Sequence, residues 1–220
     1  MKERYYAGIG SRDTPEEYLD LMRRVGAVLG RAGWTLRSGG AIGADTAFEE
    51  GARSVNGKRR IYLPKIGFGP LPRVNDASSL VPDQVLGRLI WDMASELAAQ
   101  THPSSGAAWS KMDDFTRRLL TRNMFQVMGD NLQSPVTMIV CYGEKPQFDQ
   151  IGRCIDVAGG TGQAVRLAAA ENIRVHNIFV PEHFERVEKY VREQEAILAA
   201  QEQQLAHVNN ALARDRRHRP

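Results

Sequence analysis

The chain has 220 residues, 42% hydrophobic and 25% charged, with a formal net charge of +3. That balance excludes a disordered chain, a collagen-like repeat and a disulfide-dense secreted module. With Cys141 and Cys154 the only cysteines, a disulfide framework and a four-cysteine zinc site are excluded as well.

In chain order, Tyr5-Tyr6-Ala7-Gly8-Ile9 predicts a buried strand that stops at Gly10-Ser11-Arg12. Thr14 is expected to cap a helix, with Pro15 at its first position and Glu17 at the capping-box spacing. Leu19, Met22, Val25, Ala27 and Leu29 give that helix an apolar face as far as Gly33. Trp34–Arg37 predicts a second strand, followed by Ser38-Gly39-Gly40 and a helix from Gly43 to Arg53. Arg60–Leu63 predicts a third strand, stopped by Pro64. Residues 64–82 lack apolar periodicity, and a loop of that length is either functional or mobile. Helices are expected over 83–100 and 109–128, separated by His102–Gly106. Val136–Cys141 is the clearest strand; Gly159-Gly160-Thr161-Gly162 then leads into a helix ending near Glu171. Val175–Phe179 predicts a last strand, and Pro181 opens a long helix.

Strands alternating with helices predict an α/β fold, an open parallel sheet of about five strands with helices on both faces. Right-handed crossovers gather the turns after the strands along one edge, where such sheets bind ligands. Three of those turns, at 8–12, 38–43 and 159–162, are rich in Gly, Ser and Thr. A glycine turn that feeds a helix presents unpaired N–H groups and the positive end of the helix dipole, a setting that suits phosphate. Arg12 can fork onto two phosphate oxygens or pair with Asp13 or Glu16 at the surface. Asp45 can cap the second helix or accept from a ribose or base. Gly8-x-Gly10 is not the dinucleotide fingerprint, since Asp13 fills its third glycine position. No GxxxxGK[ST] run occurs either, which argues against P-loop chemistry.

Ala7-Gly8-Ile9-Gly10-Ser11-Arg12, followed by Ser38-Gly39-Gly40-Ala41-x-Gly43-Ala44-Asp45-x-Ala47-x-x-x-Gly51-Ala52, resembles the DprA/Smf proteins. These belong to the wider SMF/DprA–LOG (SLOG) superfamily, and the resemblance runs in order over about residues 5–180. Residues 64–130 look more like phage and bacterial DprA-like proteins. The resemblance implies a Rossmann-like nucleotide-binding fold for a domain over 1–180; the spacing and charge of 181–220 predict an appended helical arm ending in a basic tail. For DprA itself it implies single-stranded DNA binding and recombinase loading. The LOG-type phosphoribohydrolases of the same superfamily carry Gly-Gly-x-Gly-Thr-x-x-Glu after a helix with an Arg-Lys pair. Gly159-Gly160-Thr161-Gly162 matches, but Gln163 stands at the threonine position and Arg166 at the glutamate position. Arg122 can match the family arginine, while Asn123 fills the lysine position. A glycosidic-bond hydrolase needs a carboxylate where Arg166 puts a cation, which argues against that chemistry.

The expected ligand-binding set is therefore Gly10, Ser11, Arg12, Ser38, Gly39, Gly40, Gly43, Asp45, Arg122, Asn123, Gly159, Gly160, Thr161 and Gly162. No catalytic residue or metal ligand is expected. The partner is expected to be a nucleotide or nucleotide-derived signal, held without a required cofactor and without catalysis. Asn123 and Gln126 can read a base edge or bond to neighbouring loops; His102, beside Trp109, can stack or make a polar contact. Ser11 and Ser38 have no histidine or lysine beside them to activate a nucleophile. Phe184, Val191, Leu198, Leu205 and Leu212 recur every seventh residue, interrupted by Gln194 and Gln201, so the last helix is either packed on its own domain or self-associating. A homo-oligomer through 184–212 is expected. The basic stretch Arg214–Pro220 is a solvated tail or a nucleic-acid contact. With neither a signal-peptide pattern nor a membrane-length apolar run, the expected location is the cytoplasm and the cysteines are expected to be free thiols.

Overall fold

A computed structural model describes residues 3–73, 76–103 and 105–217, with side chains described except at 105–107 and 206–217. The central element is a six-stranded, all-parallel sheet. Its strands are β1 (Arg4–Gly10), β2 (Trp34–Ser38), β3 (Arg59–Tyr62), β4 (Ser79–Leu80), β5 (Met138–Tyr142) and β8 (Arg174–Asn177). A two-stranded antiparallel ribbon, β6 (Gln147–Phe148) and β7 (Cys154–Asp156), lies between β5 and β8 in the chain. The helices are α1 (Glu16–Arg31), α2 (Ala44–Ser54), α3 (Pro82–Val85), α4 (Arg88–Gln100), α5 (Ser105–Lys111), α6 (Asp114–Met128), α7 (Gly160–Ala170) and α8 (Pro181–Arg217).

The spatial order is β4-β3-β2-β1-β5-β8. The chain winds outward from β1 in one direction, then returns to β1's other side with β5, so the order switches between β1 and β5. Alternation along the strands builds two cores, one on each face. Tyr6, Leu36, Ile61 and Val140 pack with α1, α2 and the start of α8, whereas Ala7, Ile9, Tyr62 and Ile139 pack with α4, α6 and α7. Tyr62 stacks on Phe125 of α6, and Phe125 stacks on Trp91 of α4.

Local differences from the sequence expectations have identifiable causes. The sixth strand, β4, lies in the stretch expected to be a loop, and two of its residues pair with β3. Thr14 does not cap α1: Pro15 takes the cap position with no side-chain hydrogen bond, because the Thr14 hydroxyl donates to the Ser11 carbonyl instead. The helix expected over 83–100 is interrupted at Gly87, which caps α4, and the one expected over 109–128 is divided by Asp113. The Asp113 carboxylate accepts from the Thr116 amide and starts α6 afresh. Ser105 and Gly106, expected in the separating loop, belong to α5.

Candidate functional site

The carboxyl ends of β1 and β5 open into a cleft of about 760 Å³, walled by α6 and by the start of α7. This is the switch point of the strand order, the place where an open parallel sheet leaves a crevice between diverging connections.

The turn after β1 is tightly folded. The Ser11 amide donates to the Tyr142 carbonyl (3.2 Å) and the Asp13 amide donates to the Ser11 hydroxyl (3.1 Å). Gly10 and Ser11 line the cleft with Arg12, whose exposed guanidinium has no ion-pair partner among the described residues. Glu16, one candidate partner, is engaged by Arg23 at 2.7 Å.

The turn before α7 is open. Gly159 has a left-handed φ of +74° and occupies the N-cap position with no side-chain cap. A Cβ added at Gly159 or Gly160 would have nothing within 4 Å, so the backbone at the head of α7 faces free space. Gly159, Gly160 and Thr161 line the cleft; Gly162 is buried against the Val157 carbonyl and Asp156.

The middle turn sits behind the cleft. Ser38 is fully buried and its hydroxyl donates to the Gly8 carbonyl (2.7 Å). Gly40 packs against Arg73 and Leu63, and Gly43 against the Ser11 and Arg12 carbonyls. At Gly39 a side chain would land in the Arg122 guanidinium, so this glycine is what lets α6 approach β2. From this segment only Ala41 and Asp45 reach the cleft.

A buried polar face on α6 ties the turns together. Arg122 Nη1 donates to Asp45 at 3.4 Å, and the Asp45 carboxylate also accepts from the Ala41 amide (3.3 Å). The Gln126 amide oxygen, assigned in the orientation that satisfies its neighbours, accepts from Arg122 and from the Gly39 amide, each at 2.7 Å. Its nitrogen donates to Asn123, whose own amide donates to the Gly160 carbonyl (3.2 Å). Arg122 and Asn123 therefore connect the second turn to the third. Burial raises the Asp45 carboxyl above its usual range despite the Arg122 charge, and burial likewise lowers Arg122. Taking both ions out of water costs more than their long contact returns.

Arg166 also lines the cleft, but its guanidinium is occupied: Nη1 donates to Asp156 at 2.5 Å and Nε to the Thr101 carbonyl at 2.8 Å. His102 lines the same wall with its ring 6.4 Å from Trp109; burial, with a smaller contribution from Arg166, lowers its pKa.

Several lining residues escape sequence reasoning. Phe68, from the 64–82 loop, and Phe115, from the first turn of α6, lie 6.2 Å apart, with the Lys65 ammonium 5.2 Å from the Phe115 ring centre. Lys145, exposed and without an ion-pair partner among the described residues, adds a second cation, and Asp156 a carboxylate. Nothing local in the sequence marks Phe68, Lys145 or Asp156; only the topology brings them to Gly160. No group of three or more His, Cys, Asp or Glu side chains that could hold a metal occurs among the described residues. Among the same residues, no helix is long and apolar enough to cross a membrane.

No family model and no curated protein matches the chain. Three solved structures of the Moco carrier protein of Chlamydomonas reinhardtii align over most of its length. One is 17% identical over 94% of this chain and 99% of that one, with a TM-score of 0.45. The others are 19% and 18% identical, cover 93% and 94% of this chain and 99% of theirs, and score 0.43 and 0.41. Similarities this distant assign no function.

Proposed function

We propose that the cleft binds a nucleotide or nucleotide-derived small molecule and holds it without transforming it. One observation carries this reading: the uncapped head of α7 opens onto the same cleft as the unpaired guanidinium of Arg12. A phosphate on Gly159-Gly160-Thr161 would receive backbone N–H groups and the positive helix end, with Arg12 and Lys145 supplying charge. A planar ring would lie against Phe115 and Phe68. Of the three acids that line the cleft, two are engaged, Asp45 by Arg122 and Asp156 by Arg166, which supports binding over catalysis; the third, Asp13, is exposed. The DprA/Smf-like glycine turns agree with this reading. The exposed apolar residues Ile197 and Leu205 on α8 support a homo-oligomer formed through that helix.

Calorimetric titration with AMP, ADP-ribose and cyclic nucleotides tests the proposal. At least one should bind, and Arg12→Ala should weaken it roughly tenfold or more, the worth of a charge-assisted hydrogen bond of about 1.5–3 kcal/mol. Absence of binding, or equal binding by Arg12→Ala, rejects the phosphate reading, and release of free base rejects the non-catalytic one. Single-stranded DNA is the competing ligand: an oligonucleotide complex that weakens steeply with salt, with no nucleotide bound, would favour it.

A further inference from the structure

A second cavity, of about 740 Å³, lies at the amino-terminal ends of β1, β2 and β3, at the opposite edge of the sheet from the cleft. Arg37 and Arg60 both line it and stand opposite one another in the parallel β2–β3 register. Like charges directly opposed on neighbouring strands destabilise a sheet unless something neutralises them. Asp130 is bonded to one of them, accepting from Arg60 Nε (3.1 Å), Arg60 Nη2 (2.5 Å) and the Tyr62 hydroxyl (2.7 Å), while the Arg37 charge also acts on it, so a single carboxylate serves two arginines.

Arg37 makes no direct ion pair of this kind among the described residues, and it is 4% exposed. Its Nη1 donates to the Ser134 carbonyl (2.6 Å), its guanidinium lies 3.9 Å from the centre of the Tyr5 ring, and its Nε is buried without a hydrogen bond. The carbonyl end of α6, which closes at Gly129 beside this guanidinium, offers about half a negative charge. At the rim Lys58 and Arg59 add two cations against Glu3, so cations outnumber acids around the cavity. A buried cation that shares one carboxylate with its neighbour is costly, and an anion seated in the cavity would lower that cost.

We propose that this cavity is a second ligand site, which takes a small oxyanion, a phosphate monoester or a carboxylate, against Arg37 and Arg60. The planar fork of Arg37 suits two oxygens of one such group. The inference is independent of the ligand assigned to the cleft.

Thermal melting of the full chain tests it, carried out in the Arg12→Ala background so that the cleft lacks its exposed arginine. Inorganic phosphate and malonate are titrated separately against chloride at equal ionic strength. At least one should raise Tm in a saturable way, and the stronger of the two identifies the class. Arg37→Met should abolish that rise while melting no lower than its parent in chloride. Asp130→Asn, which frees Arg60, should lower the half-saturating concentration at least about threefold. The proposal is overturned if neither probe gives a saturable rise, if the rise survives unchanged in Arg37→Met, or if Asp130→Asn leaves half-saturation unchanged or raises it. Should Arg37→Met fail to fold, the Asp130→Asn comparison decides alone.

Discussion

At the scale of single residues, Gly39 and Arg122 make one object. The glycine leaves the volume that the guanidinium fills, and Gln126 accepts from both. Gly39→Ala should destabilise the fold by about 2–3 kcal/mol in urea unfolding, the usual cost of an overpacked interior. In the Arg122→Ala background the same substitution should cost less, because the collision with the guanidinium is gone and only the end of the Gln126 side chain, 2.5 Å from the added Cβ, must shift; additive losses would show that the two sites are independent. The Ser-Gly-Gly turn was legible in the sequence, but its reason was not, since a glycine that contacts ligand and one that admits an arginine from 83 residues away read alike. His176 offers a pH test. Burial, reinforced by His183, Arg174 and Arg186, lowers it from 6.5 to about 4. The unfolded chain therefore binds more protons between those values, and stability falls as pH drops through that window. The loss should be on the order of 2 kcal/mol between pH 7 and pH 4 and should shrink in His176→Gln, as read by urea melts at each pH.

At the scale of elements, helix existence was readable and helix ends were not. The apolar spacing of α1 and α2 survives in the structure, while the α1 start and the restart at Asp113 depend on side-chain hydrogen bonds, and the break at Gly87 on its left-handed φ of +89°, none of which the apolar pattern reveals. The long α8 shows one of the two behaviours that its seven-residue repeat allowed, packing on its own domain. Its first half packs on α1 through buried Val187 and Val191, with Arg24 donating to both Glu195 carboxylate oxygens at 2.9 and 2.7 Å. Beyond it, Leu205 is 62% exposed, and Leu212 and the basic tip lie outside the described side chains. Val191→Ala should therefore cost about 2 kcal/mol of stability. Leu205→Asp should leave the unfolding midpoint of an isolated chain within about 0.5 kcal/mol yet convert an oligomer to a monomer in sedimentation velocity. A wild-type chain that sediments as a monomer would remove the oligomer from the reading.

At the scale of the whole molecule, the alternation of strands and helices was enough to foresee a parallel sheet with its glycine turns along one edge. The spatial order of the strands came only from the structure, and with it the partners that complete the cleft wall, Phe68, Phe115, Lys145 and Asp156. The far cavity was illegible for the same reason: Arg37 and Arg60 meet only once β2 and β3 are in register. A ligand that binds the cleft should raise the stability of the whole chain, by about 2.7 kcal/mol at a hundredfold excess over Kd, and slow exchange of amides in β1 and α7 as well as at the contact itself.

The central position of β1 sets an order of events during synthesis. Of the six strands of this sheet β1 emerges before the others, and β2 covers one side of it within some thirty residues. The other side waits for Met138–Tyr142, most of the way down the chain. Throughout that interval an apolar strand, Tyr6-Ala7-Gly8-Ile9, offers open backbone groups to any neighbour, the condition in which sheets join the wrong molecule. A nascent or truncated chain ending near residue 130 should therefore aggregate, and one extended through the first half of α8, to Ala200, should not. A chaperone that holds the open edge of β1 until Met138–Tyr142 arrives should therefore raise the yield of native protein.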